Sequence, residues 1–148
     1  MSVKITITDN RKEFDAVQGR LRGLGRLSVG AGLFEAVQAA KGFWHEFGLG
    51  VPARPWMGPA TDDARERGAV AAEKALIRVI TGAESPADAL GEVGEVFADA
   101  QRAIIEEGRV GGPPLSLEAM RNDPRKLIDT GDMVRSIESR VERDGGKS

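Results

Sequence analysis

The sequence contains no cysteine and no tyrosine, and it has a single histidine among its 148 residues. The absence of cysteine excludes disulfides, thiolate catalysis and cysteine-based zinc sites, and it fits a protein made in a reducing cytoplasm. A zinc-protease pattern would need a second histidine at position 49, which is Leu49. Only carboxylates remain as metal ligands, and Asp62, Asp63 and Glu66 are more simply the solvated start of a helix. We therefore predict neither a metal nor a cofactor site.

Excess positive charge and long apolar runs are also missing. The formal net charge is −2, whereas nucleic-acid-binding proteins usually show a basic excess or patch. No stretch approaches the roughly 18 consecutive apolar residues of a membrane-spanning helix. Residues 1–8 alternate polar and apolar side chains without a basic head, so we do not expect a secretory signal. We expect one soluble domain over residues 1–142 and a frayed end over residues 143–148.

The periodicity of apolar residues predicts an α+β domain, in which a small antiparallel sheet packs against two or three long helices. Strands are predicted at residues 3–8, 26–30 and 137–142. Helices are predicted over residues 10–25, 33–48, 61–82 and 85–108, with N-caps at Asn10, Thr61 and Ser85. Long loops rich in proline and glycine connect these elements.

The segment over residues 45–60 has the most restrictive backbone chemistry in the chain. Its prolines fix φ, whereas Gly48, Gly50 and Gly58 allow conformations closed to other residues, so we predict a rigid and sharply turned loop. Arginine and tryptophan most often anchor protein contacts, and we expect Arg54 and Trp56 to project from this loop. Trp56 either packs on its own domain or fills a pocket of a neighbour. The candidate interface residues here are Pro52, Arg54, Pro55, Trp56 and Met57.

A second candidate contact segment covers residues 109–126, where Gly-Gly-Pro-Pro and Asn-Asp-Pro runs predict a loop with at most one short helix. Loops longer than about 12 residues without regular structure are usually functional or disordered, so we expect this one to be ordered only on assembly. Its candidate interface residues are Pro113, Pro114 and Leu115. Further along, Asp129 or Thr130 is expected to cap a last helical turn, and Gly131 to complete that turn.

The triplet Asp129-Thr130-Gly131 also matches the aspartic-protease motif, in which two aspartates share a proton across a dimer. Proteases of that class are nearly all β and need strands and a flap beyond the triplet, whereas the chain before this triplet is predicted to be helical. A small hydrolase using Asp129 therefore stands as an alternative to the structural turn.

Aromatic residues at helical spacing usually belong to a core, and we expect this of Phe43, Trp44 and Phe47. A lone histidine beside two aromatic side chains is more often packed and hydrogen-bonded than catalytic. His45 is therefore interpreted as a structural residue.

Three motifs resemble those of the neck and tail-completion proteins of tailed bacteriophages. They are residues 45–48 (His-Glu-Phe-Gly), residues 51–60 (Val-Pro-Ala-Arg-Pro-Trp-Met-Gly-Pro-Ala) and residues 127–137 (Leu-Ile-Asp-Thr-Gly-Asp-Met-Val-Arg-Ser-Ile). In that family an alanine-rich helix typically leads into the first motif. Residues 61–108 match in helical character only, and Glu118 stands where family members often carry threonine.

This resemblance implies a non-enzymatic structural protein of the virion, assembled in the bacterial cytoplasm and needed to complete or join the tail. It implies a ring of about six copies at the neck or the head-proximal end of the tail. The implied partners are the tail terminator, the tail tube or the head–tail connector, and DNA would pass through the ring without sequence-specific binding. No membrane partner is implied. A host protein-binding module is a further alternative.

Contacts in such a ring are heterologous, so each subunit needs two different complementary patches. The Pro-rich loop is our candidate for one patch, and residues 109–126 are our candidate for the other.

Overall fold

The sheet joins two strands that lie far apart in the sequence, and the long helices occupy the chain between them. The computed structural model describes residue 6 and residues 9–113 and 131–145. The helices are α1 (Arg11–Leu24), α2 (Ala36–Phe47), α3 (Met57–Thr81), α4 (Pro86–Glu106) and α5 (Asp132–Arg135), and the strands are β1 (Leu27–Leu33) and β2 (Ile137–Arg143). This arrangement confirms the predicted α+β fold, a small antiparallel sheet packed against long helices.

β1 and β2 pair along their whole length, from Leu27 opposite Arg143 to Leu33 opposite Ile137. β1 was predicted to end at residue 30, but β2 provides hydrogen-bonding partners as far as Leu33. β2 matches its prediction apart from Arg143, and the Asp144 N–H donates to the Arg26 carbonyl over 2.8 Å. These two residues are therefore held to the sheet where a frayed end was predicted. The strand predicted at residues 3–8 lies, apart from Thr6, outside the described residues, as do residues 146–148.

α4 lies directly on this sheet because it carries a glycine at the crossing. A Cβ at Gly94 would stand 2.5 Å from Val29 Cγ2 and 2.8 Å from Ser139 Cβ. Side chains of α4 also bind the strand backbones, since Gln101 Nε2 donates to the Ala31 carbonyl over 3.0 Å. Arg102 donates to the Ile137 carbonyl through Nε at 3.1 Å and Nη2 at 2.8 Å. α4 thus forms a second layer that packs directly on the face of the sheet.

α3 and α4 form an antiparallel helical pair, and the turn between them follows its sequence signals. Gly82 ends α3 with φ 76°, a left-handed conformation that glycine adopts without steric cost. Ser85 Oγ accepts the Asp88 N–H over 3.2 Å, and Pro86 occupies the first helical position. Gly68 allows the close approach of the two helices, since a Cβ there would lie 2.6 Å from the Phe97 ring.

The main core lies between α3, α4, α5 and the sheet. It is built mainly from alanine and β-branched side chains, with one methionine and one tryptophan, namely Trp56, Ala60, Ala64, Ala98, Ala100, Ile104, Ile105, Val110, Met133, Val134 and Ile137. A smaller cluster of Ala75, Val79, Ala89 and Val93 joins the C-terminal part of α3 to the N-terminal part of α4. Each fully buried large apolar side chain contributes about 1.5–3 kcal/mol, so these clusters supply most of the stability.

α1 is the least integrated of the longer helices, since none of its residues is buried. Its predicted apolar stripe includes Phe14 and Leu21, which are exposed to 62% and 41%. The predicted capping box is not formed, because the Asn10 side chain makes no cap and only its carbonyl accepts the Glu13 N–H. Arg20 Nη1 ties the helix to α3 through the Ile80 carbonyl at 2.6 Å. An apolar cavity of about 330 Å³ lies between α1, β1, α3 and α4.

Candidate functional site

Two glycines shape the loop that connects α2 to α3. Gly48 ends α2 with φ 71°, and its N–H donates to the Trp44 carbonyl over 2.8 Å. Gly50 follows with φ 75°. Ala53 folds back against Gly48, where a Cβ would stand 3.0 Å from the Ala53 Cβ. These conformations make the sharply turned loop that the sequence predicted.

α3 begins at Met57, four residues before the predicted cap at Thr61. The Thr61 hydroxyl donates to the Met57 carbonyl over 2.8 Å, as in a helix interior. Gly58 and Pro59 thus belong to the first helical turn, where proline is tolerated because its missing N–H is not needed. The predicted loop is correspondingly shorter at its C-terminal end.

The cap of α3 comes from the preceding helix, since the Glu46 carboxylate binds the start of α3. It accepts the N–H groups of Trp56 at 2.7 Å, Met57 at 3.0 Å and Gly58 at 3.4 Å. A helix start offers free N–H groups and the positive end of the helix dipole, so a carboxylate is favoured there. Sequence reasoning missed this role of Glu46, and the His-Glu-Phe-Gly and Pro-Ala-Arg-Pro motifs are thereby joined in one structural unit.

Arg54 and Trp56 do not project from the loop, which corrects that expectation. Trp56 is 1% exposed and lies in the core of its own domain, so the first of its two alternatives is the one observed. Arg54 is 9% exposed, and its backbone N–H donates to the His45 carbonyl over 2.6 Å. Along residues 53–57, Arg54 and Trp56 are buried, Pro55 between them is half-buried, and Ala53 and Met57 are exposed. Little of either side chain is therefore exposed for contact with a neighbouring molecule.

His45 is half-buried beside Arg54, in agreement with its interpretation as a packed residue. Burial lowers the pKa of His45 below its usual 6.5, and the positive charge of Arg54 lowers it further. Its Nδ1 is buried and has no hydrogen-bond partner in the described chain, so the expected hydrogen bond of the ring is not found there.

The two candidate contact segments touch one another. The Gly111 N–H donates to the Pro55 carbonyl over 3.4 Å. Gly112 has φ 85°, and a Cβ there would stand 2.1 Å from the Ala53 carbonyl oxygen, so only glycine fits. The start of the 109–126 segment thus contacts the Pro-rich loop, and the role of the two segments as separate patches of a ring stays a prediction.

The other candidate interface residues differ in exposure. Pro52, Met57 and Pro113 are exposed, and Pro55 is half-buried. Pro114 and Leu115 lie outside the described residues. Their role in an interface stays a prediction.

The predicted cap before the last helical turn falls partly outside the described chain. Asp129 and Thr130 lie in that part. Gly131 is the N-cap residue of α5 with φ 75°, a left-handed conformation that favours glycine. The turn role of Gly131 is therefore observed, and the capping role of its two predecessors stays a prediction.

The outer face of α2 carries the exposed aromatic side chains of this region, where the sequence predicted core. Phe43 is 53% exposed, Trp44 49% and Phe47 62%, and Val37 and Leu49 extend the same surface at 57% and 53%. We call these five residues the α2 aromatic face. The rings of Phe43 and Phe47 lie with centroids 4.7 Å apart, as expected for residues four apart on a helix.

The opposite side of α2 explains why the aromatic residues face outward. Gly42 is the buried residue of this helix, and a Cβ there would stand 2.5 Å from Leu33 Cδ1 and 3.4 Å from the Trp56 ring. A surface that close to Leu33 and Trp56 accommodates only small residues, so the large rings lie on the other side. Gly42 was the signal in the sequence that could have indicated this orientation.

No helix in the described part of the chain is long and apolar enough to cross a membrane. Among the same residues, no group of three or more histidine, aspartate or glutamate side chains is placed to hold a metal ion. Comparison of the chain with protein-family models, with curated proteins and with solved structures found no match.

Proposed function

We propose that this chain is a structural subunit that assembles with copies of itself through the α2 aromatic face. By its resemblance to neck and tail-completion proteins, we place it at the head–tail joint or the head-proximal end of a bacteriophage tail, where it completes or joins the tail. Its neighbours there would be the tail terminator, the tail tube or the head–tail connector. The proposed role is structural and non-enzymatic, and the mature protein would reside in the virion.

The observation that carries this proposal is the exposure of the α2 aromatic face. Phe43, Trp44 and Phe47 lie within five residues and each exposes about half of its surface or more. Monomeric proteins rarely expose contiguous apolar patches larger than a few hundred Å², and aromatic residues are enriched in interface cores. Covering such a face with a neighbouring subunit removes apolar area from water at about 25 cal/mol per Å².

The residues of the two first motifs support the proposal by making the surface rigid. Glu46 joins the end of α2 to the start of α3, and the Arg54 N–H joins the loop to the His45 carbonyl. A rigid surface loses little conformational freedom on association, so more of the contact energy is available for binding. In this proposal the residues of the first two motifs hold α2, the loop and α3 together, and the exposed rings of the α2 aromatic face make the contact with the neighbouring copy.

A ring also needs a second, different patch, and α3 offers one. Val70 and Ile77 are exposed to 50% and 54%, and they lie seven positions apart on the same side of the helix. We propose that the α2 aromatic face of one copy packs against this side of α3 in the next copy. Such a head-to-tail contact closes into a ring when the rotation between copies allows it.

Two charge-introducing variants test this arrangement. Phe47→Glu blocks the first patch and Val70→Glu blocks the second, so each variant alone is expected to stay monomeric by analytical ultracentrifugation. An equimolar mixture of the two is expected to form dimers and nothing larger, because each variant retains the patch that the other lacks. Ala87→Glu, which places the same charge on the exposed first turn of α4, is the control that still assembles.

The outcomes separate the alternatives. A wild-type chain that stays monomeric at every concentration would contradict self-assembly and favour a host protein-binding module. A compact dimer with acid-dependent peptidase activity would favour the hydrolase built on Asp129. A mixture of the two variants that fails to dimerise would show that the ring contact does not join α2 to α3.

A further inference from the structure

The exposed side of α3 carries a narrow apolar patch that is bordered by charges of opposite sign. Val70 and Ile77, exposed to 50% and 54%, form this α3 patch. Four charged residues border it, and all of them are exposed: Glu66, Glu73, Arg67 and Lys74. None of the four belongs to an ion pair between described residues.

The acidic and basic residues lie on opposite edges of the α3 patch. At about 100° per residue, Glu66 and Glu73 are rotated from Val70 by about 40° and 60° in one direction, towards one edge. Lys74 and Arg67 are rotated from it by about 40° and 60° in the other direction. Because the helix is right-handed, a viewer outside it with its C-terminus upward sees the acidic edge on the left and the basic edge on the right.

The α2 aromatic face has a single charge at its border. Lys41 is exposed, and it lies to the right of Val37 by about 40° and of Trp44 by about 60° in the same view. Among the residues of α2 it is the only charged one that is exposed, since Glu46 is half-buried and binds the start of α3. The charge of Lys41 also acts on Glu35, whose carboxylate is already occupied as the N-cap of α2.

We propose that α2 of one copy packs parallel to α3 of the next copy, with Lys41 beside the acidic edge formed by Glu66 and Glu73. The inference rests on the proposed function, in which the α2 aromatic face meets this side of α3. When two helices face each other and run in the same direction, the right edge of one lies against the left edge of the other. In the antiparallel arrangement the two right edges meet, which would place Lys41 against Arg67 and Lys74.

The charges therefore select one of two orientations that the apolar residues alone do not distinguish. Opposite charges across a contact favour one alignment, and like charges disfavour the other, as the flanking charges of coiled coils do. Exposed charges at the edge of an interface contribute more to orientation and association rate than to affinity. A fixed orientation matters for a head-to-tail ring, because every contact must repeat the same rotation for the ring to close.

The mixture of Val70→Glu and Phe47→Glu variants provides a dimer with one such contact, which makes a direct test possible. The first variant supplies α2 and the second supplies α3, so Lys41→Glu is placed in the first and Glu73→Lys in the second. Each charge reversal alone is expected to raise the Kd of the dimer about threefold to tenfold at low ionic strength, by sedimentation equilibrium. The two reversals together are expected to restore the starting Kd to within about twofold, because the attraction is re-established with the signs exchanged.

Lys74→Glu is the matched control, since it changes the neighbouring position on the opposite edge of the α3 patch. In the parallel arrangement it is expected to leave the Kd unchanged, whereas in the antiparallel arrangement it would tighten the dimer and Glu73→Lys would have no effect. Lys41→Gln removes the charge without adding one, so a smaller rise in Kd is expected. The effects of the charge reversals are expected to fade at about 0.5 M sodium chloride, where screening acts over a few Å. Circular dichroism checks that these surface variants remain folded.

The outcomes separate the orientation from the contact itself. If the Val70→Glu and Phe47→Glu variants do not dimerise, the proposed contact between α2 and α3 is wrong, and the orientation is overturned with it. If they dimerise but no charge reversal changes the Kd, or the two reversals together do not restore it, the orientation alone is overturned. A dimer that is tightened by Lys74→Glu would show that the helices pack antiparallel.

Discussion

Removal of the Glu46 carboxylate is expected to destabilise the chain far more than its position on the end of a helix suggests. The carboxylate holds the N–H groups of Trp56, Met57 and Gly58, at the start of a helix of 25 residues. The bond to the partly buried Trp56 N–H is the one that water replaces least well. A hydrogen bond to a charged group contributes about 1.5–3 kcal/mol, and the other two N–H groups regain most of theirs from water.

We therefore expect Glu46→Ala to lower the free energy of unfolding by about 2–3 kcal/mol, which is the Trp56 bond together with the lost attraction to the helix dipole. Glu46→Gln keeps one acceptor oxygen and loses the charge, so we expect a loss of about 1 kcal/mol. For a chain of this size, 1 kcal/mol corresponds to about 2–4 °C in Tm. Urea unfolding and thermal melts followed by circular dichroism measure both variants.

Glu73→Ala is the matched control, because Glu73 is an exposed glutamate on the same helix α3. Surface substitutions of this kind usually change stability by less than about 0.5 kcal/mol. Equal effects of Glu46→Ala and Glu73→Ala would refute the reasoning. Water would then satisfy the N–H groups at the start of α3, and the Glu46 hydrogen bonds would contribute nothing measurable to the free energy of unfolding.

Two further predictions concern packing and pH. Gly94→Ala is expected to cost about 1–3 kcal/mol because its Cβ would overlap Val29 and Ser139, whereas Gly19→Ala, with open space around it, is expected to stabilise by about 0.4–1 kcal/mol. A Gly94 variant as stable as wild type in urea would contradict the close contact of α4 with the sheet. The pKa of His45 is lower in the folded chain than in the unfolded chain, so the unfolded chain binds the proton more readily. The free energy of unfolding is therefore expected to fall as the pH drops below 6.5 and to level off once the pH is below the pKa of the folded state. His45→Gln is expected to remove that slope, and an unchanged slope in the variant would assign it to other groups.

Elements with local signals could be predicted from the sequence. The start of α4 is encoded within four residues, where Ser85, Pro86 and Asp88 each occupy the position their chemistry favours. The end of α3 at Gly82 follows from a glycine in a left-handed conformation. β2 was placed to within one residue, because its alternating pattern ends close to where the pairing with β1 ends.

The start of α3 could not be predicted in the same way. Thr61 with Asp62 and Asp63 is a good local signal for a helix start, yet the observed cap is Glu46, which lies on α2 and precedes Met57, the first residue of α3, by eleven residues. A side chain on another helix becomes a cap only once the loop has folded back. That contact is tertiary, and local propensity contains no information about it.

The direction of the aromatic residues on α2 was also undecided by the sequence. Helical periodicity places Phe43, Trp44 and Phe47 on one stripe, but an apolar stripe packs inward or outward depending on what lies beside the helix. Leu33 and Trp56 come so close to Gly42 that the small-residue side of α2 is the one that fits. Conversely, Arg54 was expected to project from the loop and is buried, and Trp56, for which packing on its own domain was one of two alternatives, lies in the core.

The sequence by itself determined the class of fold, most element boundaries and the turned loop between α2 and α3, because these depend on short-range backbone preferences. Tertiary structure alone decided which aromatic residues are exposed, which carboxylate caps α3 and which arginine of the described residues is buried. Those outcomes depend on the approach of β1, α2 and α3 to one another. Local preferences act over a few residues, whereas burial and pairing are properties of surfaces that exist only after the chain has packed.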